Sequence, residues 1–257
     1  MDLYFQGLAW FNKGWTPANI ARARSFFDRA LAADPDNVDA LVGSARVDEL
    51  EGALSFASNP LAAFAAAEVK LTKALSSVPD HAHGHLVLGL VDIFTGRAAK
   101  GISECEHALE IDRNLAHAHY AIGVGSSFVG RAEETEAHIG RALRLSPRDP
   151  MAYTWMYFAG AAKLQLGVWE EAATWLRRSI EANRNYPHPH FGLAVALAHL
   201  GRLDEAQAAV KTGLTLNPAF AIDRARASWM AISQNPTFLT QLAPIVEGLR
   251  KAGLPEQ

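Results

Sequence analysis

At 257 residues the chain can bury a substantial core, as one elongated domain or as two compact ones. Its 49% apolar and 20% charged residues are an ordinary globular balance, and a net charge of −3 gives no electrostatic reason to expect nucleic acid or an anionic membrane. The single Cys105 excludes an intrachain disulfide and a Cys-rich zinc site, and no apolar run of about 18 residues is there to span a bilayer, so direct membrane insertion is not expected.

Abundant alanine and comparatively few β-branched residues favour helix throughout. Residues 2–37 read as a first helical hairpin, with a turn at Gly14 and Thr16-Pro17 as N-cap and first helical position of the second helix. Within it, LYFQG (Leu3 to Gly7) matches the core of a protease site often left by expression tags. Residues 38–81 form a second hairpin, lengthened by ten residues around Leu54 to Asn59, after which Asn59-Pro60 reopens a helix.

From residue 82 a period emerges. Gly96-Arg97 recurs 34 residues later as Gly130-Arg131, and after a further 71 as Gly201-Arg202. The pairs Ala74-Leu75, Ala108-Leu109 and Ala142-Leu143 are also 34 apart. Hairpins therefore follow at 82–115, 116–149, 150–186 (three residues longer) and 187–220. Residues 221–257 leave this register but stay helical. Leu239, Leu242, Val246 and Leu249 share one face, as a terminal cap needs, and Pro244 must kink that helix or begin its last segment.

This spacing, with Leu88-Gly89, Ile122-Gly123 and Leu193-Ala194 in one pair of slots and Pro147 and Pro218 closing units, resembles the tetratricopeptide repeat (TPR). The resemblance implies an all-α, right-handed superhelix of six hairpins over 2–220 with capping helices over 221–257. Small residues at the eighth, twentieth and twenty-seventh positions let neighbouring helices approach, and glycine at the turn accepts a left-handed conformation. With Gly14 at the turn, Gly7 falls in the small eighth slot, so LYFQG reads as native helix and only Met1 as an addition.

Several stretches, LYFQGLAWFNKGWTPANIARAR, RLSPRDPMAYTWM, WLRRSIEANRNYP and EGLRKAGLPE, resemble the C-terminal TPR regions of alphaproteobacterial class III adenylate/guanylate cyclase proteins. That resemblance implies an attached regulatory or interaction module, with any cyclase activity in an upstream domain absent from this chain. A lone cysteine is compatible with a reducing cytoplasm, the expected compartment. Where resembling proteins carry a membrane segment before the repeats, the repeats would face the periplasm.

In TPR proteins the first helix of each hairpin lines a concave groove. The matching slots are His83, Leu86, Leu90 and Phe94 in the third repeat, His117, Tyr120, Val124 and Phe128 in the fourth, Met151 and Phe158 in the fifth, and His188, Phe191, Val195 and His199 in the sixth. The surface is apolar and aromatic with histidine at one edge, and it suits an amphipathic helix or an extended hydrophobic segment. It could equally be filled by the protein's own helices or by a second copy. Binding of a protein or peptide segment, an upstream cyclase domain among them, is the leading reading. Homo-oligomerisation that brings attached catalytic domains together is the alternative.

Other motifs point away from catalysis. The pairs at His83 and His85, His117 and His119, and His188 and His190 suggest zinc or nickel, but alternate helical residues point about 200° apart. Packing and groove lining are the expected roles, with no metal and no cofactor. Arg22, Arg24 and Arg29 beside Asp28 and Asp34 read as a solvated helix face. Glu133-Glu134 and Glu170-Glu171 belong in first helical turns, where the macrodipole favours acids. Cys105 takes a packing slot, and no catalytic constellation is found.

Overall fold

A computed structural model describes residues 2–54 and 59–257, so the insertion expected around Leu54 to Asn59 lies largely outside the described residues, as does Met1. All the regular structure described is helical, as expected. Among the described residues there are fourteen helices, α1 (Leu3–Phe11), α2 (Pro17–Ala33), α3 (Val38–Ala53), α4 (Pro60–Ser77), α5 (Ala82–Phe94), α6 (Ala98–Ile111), α7 (Ala116–Phe128), α8 (Ala132–Leu145), α9 (Ala152–Gln165), α10 (Trp169–Ala182), α11 (His188–His199), α12 (Leu203–Leu216), α13 (Ile222–Ile232) and α14 (Pro236–Lys251). The chain divides into two compact units, Met1–Ala121 and Ile122–Gln257, with the division falling inside α7.

Helix starts follow the capping residues read from the sequence. Thr16 Oγ1 accepts from Asn19 N at 3.3 Å and Asn59 Oδ1 from Ala62 N at 3.2 Å, each ahead of a proline that loses no intrahelical bond. His81 caps α5 in the same way, its Nδ1 accepting from Gly84 N at 3.0 Å. Between paired helices the chain turns through glycines at positive φ, 83° at Gly96, 81° at Gly130, 70° at Gly167 and 76° at Gly201, where any side chain would be strained.

In the first unit the core begins at Phe27, which is fully buried with Ile20, Ala23, Val47 and Leu50. Its ring lies between two glycines: a Cβ at Gly7 would stand 2.5 Å from the ring and one at Gly43 2.7 Å. Gly7 is thus a packing residue of α1. A second cluster joins Leu41 and Val42 to Phe64, Leu71, Val87 and Val91. Beyond it α5 and α6 approach at Gly89 and Gly101, where a Cβ on Gly101 would meet the Gly89 carbonyl oxygen at 2.4 Å. Cys105 packs against Gly89, fully buried, and burial pushes its thiol pKa up, as befits a structural thiol.

The arginine-rich face of α2 is not merely solvated. Arg24 reaches across to α3 and pairs with Asp48 at 2.8 Å and Glu51 at 2.9 Å, and Lys70 of α4 closes on Asp48 from the other side. The helical period alone does not distinguish an arginine facing water from one facing an acid on the next helix.

The second unit is built on the same plan. Trp155 is fully buried, Leu176 is held where a Cβ at Gly160 or Gly192 would come within 3.0 Å of it, and the Phe191 ring fills the space left by Gly213. Glu133-Glu134 and Glu170-Glu171 open α8 and α10 as expected. After α12 the plan changes. The tail turns back, so that Ile222 N donates to Pro255 O at 3.1 Å and Asp223 N to Glu256 O at 2.9 Å. Helix α14 runs unbroken through Pro244 and packs on α11 and α9. Phe238, Leu242, Ile245, Val246 and Leu249 form its buried face, with Leu239 half-buried at its edge.

Candidate interaction face

In each unit the first helices of the hairpins present a face, termed that unit's A-helix face. In the first unit it comprises α1, α3, α5 and the start of α7. Trp15, from the α1–α2 turn, extends onto this face, its ring 6.3 Å from that of His117 and 6.0 Å from that of Phe11. The Arg46 guanidinium lies 5.2 Å above the same indole, in cation–π geometry, and also pairs with Glu49. Glu49 is only 1% exposed, and burial raises its pKa despite Arg46. Burial, with Arg46 and His83 adding their charge, lowers the pKa of His117 to about 3, so the ring is neutral at physiological pH. Of the groove positions expected here, Leu86, Leu90 and Tyr120 are buried, Phe94 and His117 are half-buried, and His83 is exposed.

In the second unit the face is formed by α9, α11 and the end of α7. Val124, Phe128, Met151, Phe191 and Val195 are buried, while Phe158, His188 and His199 are half-buried. The occupant is α14. Phe238 meets the Phe128 ring edge-on at 5.6 Å, and Phe128 meets Phe158 at 6.5 Å. Gly248 comes so close to α11 that a Cβ there would stand 2.7 Å from Val195 Cγ1 and 3.0 Å from His199 Cδ2. His199 stacks on Trp169 at 4.1 Å and donates from Nε2 to the Pro244 carbonyl oxygen at 2.7 Å.

The second unit also holds a run of half-buried rings. Tyr186 meets Tyr153 at 5.1 Å, Tyr157 at 5.6 Å and His188 at 5.2 Å, and His188 meets Phe220 at 6.2 Å. Phe220 stacks on Phe191 at 3.9 Å. Burial lowers His188 to about 4 and raises Tyr157 to about 12, so the cluster carries no charge at neutral pH.

The paired histidines diverge. His85 bonds to Glu104 at 2.8 Å and to the Pro79 carbonyl at 2.7 Å, whereas His190 Nε2 donates to Arg184 O at 3.2 Å. Among the described residues no three His, Cys, Asp or Glu side chains converge as metal ligands, and no helix is long and apolar enough to cross a membrane. Sequence reasoning missed Trp15, Tyr153, Tyr157, Tyr186 and Phe220. The extra residues ahead of Thr16-Pro17 and the aromatics flanking the 187–220 repeat were the available signals.

Two family models described as tetratricopeptide repeat match residues 129–188 and 188–220. Residues 129–220 therefore match TPR repeats, and the all-α fold is of the TPR solenoid class. Among solved structures it is similar to the APC/C hetero-tetramer Cut9-Hcn1, with 16% identity and a TM-score of 0.69 over 85% of this chain, which spans 40% of that one. It is also similar to pilF of Pseudomonas aeruginosa, at 14% identity and a TM-score of 0.60, covering 89% of this chain and 93% of the other. TTC0263 of Thermus thermophilus, a thermophilic TPR protein, gives 18% identity and 0.57, covering 76% and 97%. At these identities the likeness shows the fold alone. No curated protein matches the sequence.

Proposed function

We propose that the chain is a non-catalytic scaffold whose A-helix face binds a protein or peptide segment. The observation that supports this best is the half-buried row of rings formed by Tyr153, Tyr157, Tyr186, His188 and Phe220. Such rings offer large apolar area with few rotatable bonds, which keeps the entropic cost of binding low. The fourteen groove positions named from the sequence belong to this reading, those of the second unit with that row and those of the first as that unit's own face. The resemblance to cyclase TPR regions supports a setting as the interaction module of a cyclase-type signalling protein, with an upstream cyclase domain among its partners. The compartment proposed is the cytoplasm, the alternative being a periplasm-facing part of a membrane-anchored parent.

The test is selection from a random peptide library on the full-length chain, followed by affinity measurement. Enriched peptides should bind Tyr186→Ala and Phe220→Ala at least about tenfold more weakly. Unchanged affinity in both variants would sink the reading.

One observation favours a second reading, self-association. On α4, Leu61 is 74% exposed and Val69 71%, with exposed Ala62, Ala65 and Ala66 between them. Light scattering over a concentration series should then show a dimer that Leu61→Glu with Val69→Glu abolishes. A wild-type monomer at every concentration removes it.

A further inference from the structure

We propose that α14 is a displaceable occupant of the second unit's A-helix face, and that the partner this face takes is an amphipathic helix of α14's own pattern. Such a helix would be apolar at the places of Phe238, Leu242, Val246 and Leu249, with glycine at the place of Gly248. The inference rests on the reading that this face binds protein segments, and it adds the class of segment and an autoinhibited resting state.

Three observations carry it. First, the seat is specific rather than merely greasy. Gly248 lets α14 approach α11 until a Cβ there would meet Val195 Cγ1 at 2.7 Å, and His199, fixed by its stack on Trp169, donates to the Pro244 carbonyl. A partner is thus read by shape at the glycine and by a backbone acceptor one turn before it.

Second, the segment holding α14 closes on itself as well as on the array. The tail pairs with the start of α13 through two backbone hydrogen bonds, Ile222 N to Pro255 O and Asp223 N to Glu256 O. Arg250 bonds to Glu256 at 2.6 Å across the same loop. Helix α13 buries Ile222 and Ala225 and packs on α14. Third, an open cleft of about 610 Å³ separates α12, at Val210, Lys211 and Leu214, from Ala252 and Gly253. In the opening proposed, residues 222–257 lift as one body, giving up the seat of α14 and the Ser233 hydrogen bond to the Phe128 carbonyl oxygen, and leave the hairpins of the array intact.

A fluorescein-labelled peptide of residues 234–251 serves as probe, measured by anisotropy against the full-length chain. Wild type should bind it weakly because its own α14 competes. In Gly248→Leu the chain's own helix is wedged off α11, so the unmodified peptide should bind at least tenfold more tightly. A second variant, Val195→Cys with Gly248→Cys, holds α14 in place when oxidised. Binding should vanish in the disulfide form and return on reduction to at least the wild-type level. If Gly248→Leu does not fold, the cysteine pair decides alone. Equal binding by the oxidised and reduced forms, or no peptide binding by either, overturns the proposal. Library peptides that still depend on Tyr186 and Phe220 in that case leave the scaffold reading standing.

Discussion

The first unit closes its A-helix face with charge and one indole, whereas the second closes its face with an apolar helix. In the first, Arg46 sits between Trp15 and the buried Glu49. In the second, Phe238, Leu242 and Val246 do the covering, with His199 as the polar contact. Both solutions remove water from the inner side of the first helices, but they differ in what happens when they are disturbed. Buried ion pairs tolerate joint replacement and punish single replacement, while an apolar helix can leave as a unit.

The largest effect that separates the units should come from Phe27→Ala. The ring fills the space between Gly7 and Gly43, neither of which can close the gap from its own side chain, so the cost should lie at about 3–5 kcal/mol. Denaturant unfolding should show this loss with the second unit's transition unmoved. A uniform shift of one shared transition would mean that the two units melt as one.

Next in size is Arg46→Ala, which strands Glu49 at 1% exposure and should cost about 3 kcal/mol at neutral pH. The double replacement Arg46→Met with Glu49→Leu should recover most of that loss. The folded pKa of Glu49 is already raised by burial, so the single variant's deficit should shrink as the pH falls and the acid protonates. A deficit that is independent of pH would show that Arg46 acts through Trp15 instead.

These contrasts explain what the sequence disclosed. The hairpins were legible because glycine at a turn, proline after a cap and small residues at helix contacts each have one backbone reason, and Gly7, Gly96 and Asn59-Pro60 behave accordingly. The apolar face of α14 was legible for the same reason. Its destination was not, because Leu242 and Val246 mark a face that must be buried without saying against what. Arg24 and Glu49 were hidden by the opposite problem, since charged residues at helical spacing look solvated until a partner helix supplies the counter-charge. Trp15 lay between the Gly14 turn and the Thr16 cap, where the repeat offers no slot to compare it with.

The smallest effect expected concerns pH and distinguishes the two faces by one histidine each. His188 in the second unit is held at about 4 and His117 in the first at about 3, against about 6.5 in an unfolded chain. Between those values the unfolded chain binds protons that the folded one refuses, so stability is full above about pH 6.5 and declines as the pH falls. Lowering the pH from 7.5 to 5 should therefore depress the melting temperature by about a few degrees beyond what the carboxylates cause. Phenylalanine retains the ring and cannot titrate. His188→Phe should flatten the pH slope of the second unit's melt, and His117→Phe that of the first, with little change at pH 7.5. If His188→Phe leaves the slope untouched, the ring row around His188 is wet enough to accept a proton. A row that wet could not supply the uncharged platform on which segment binding depends.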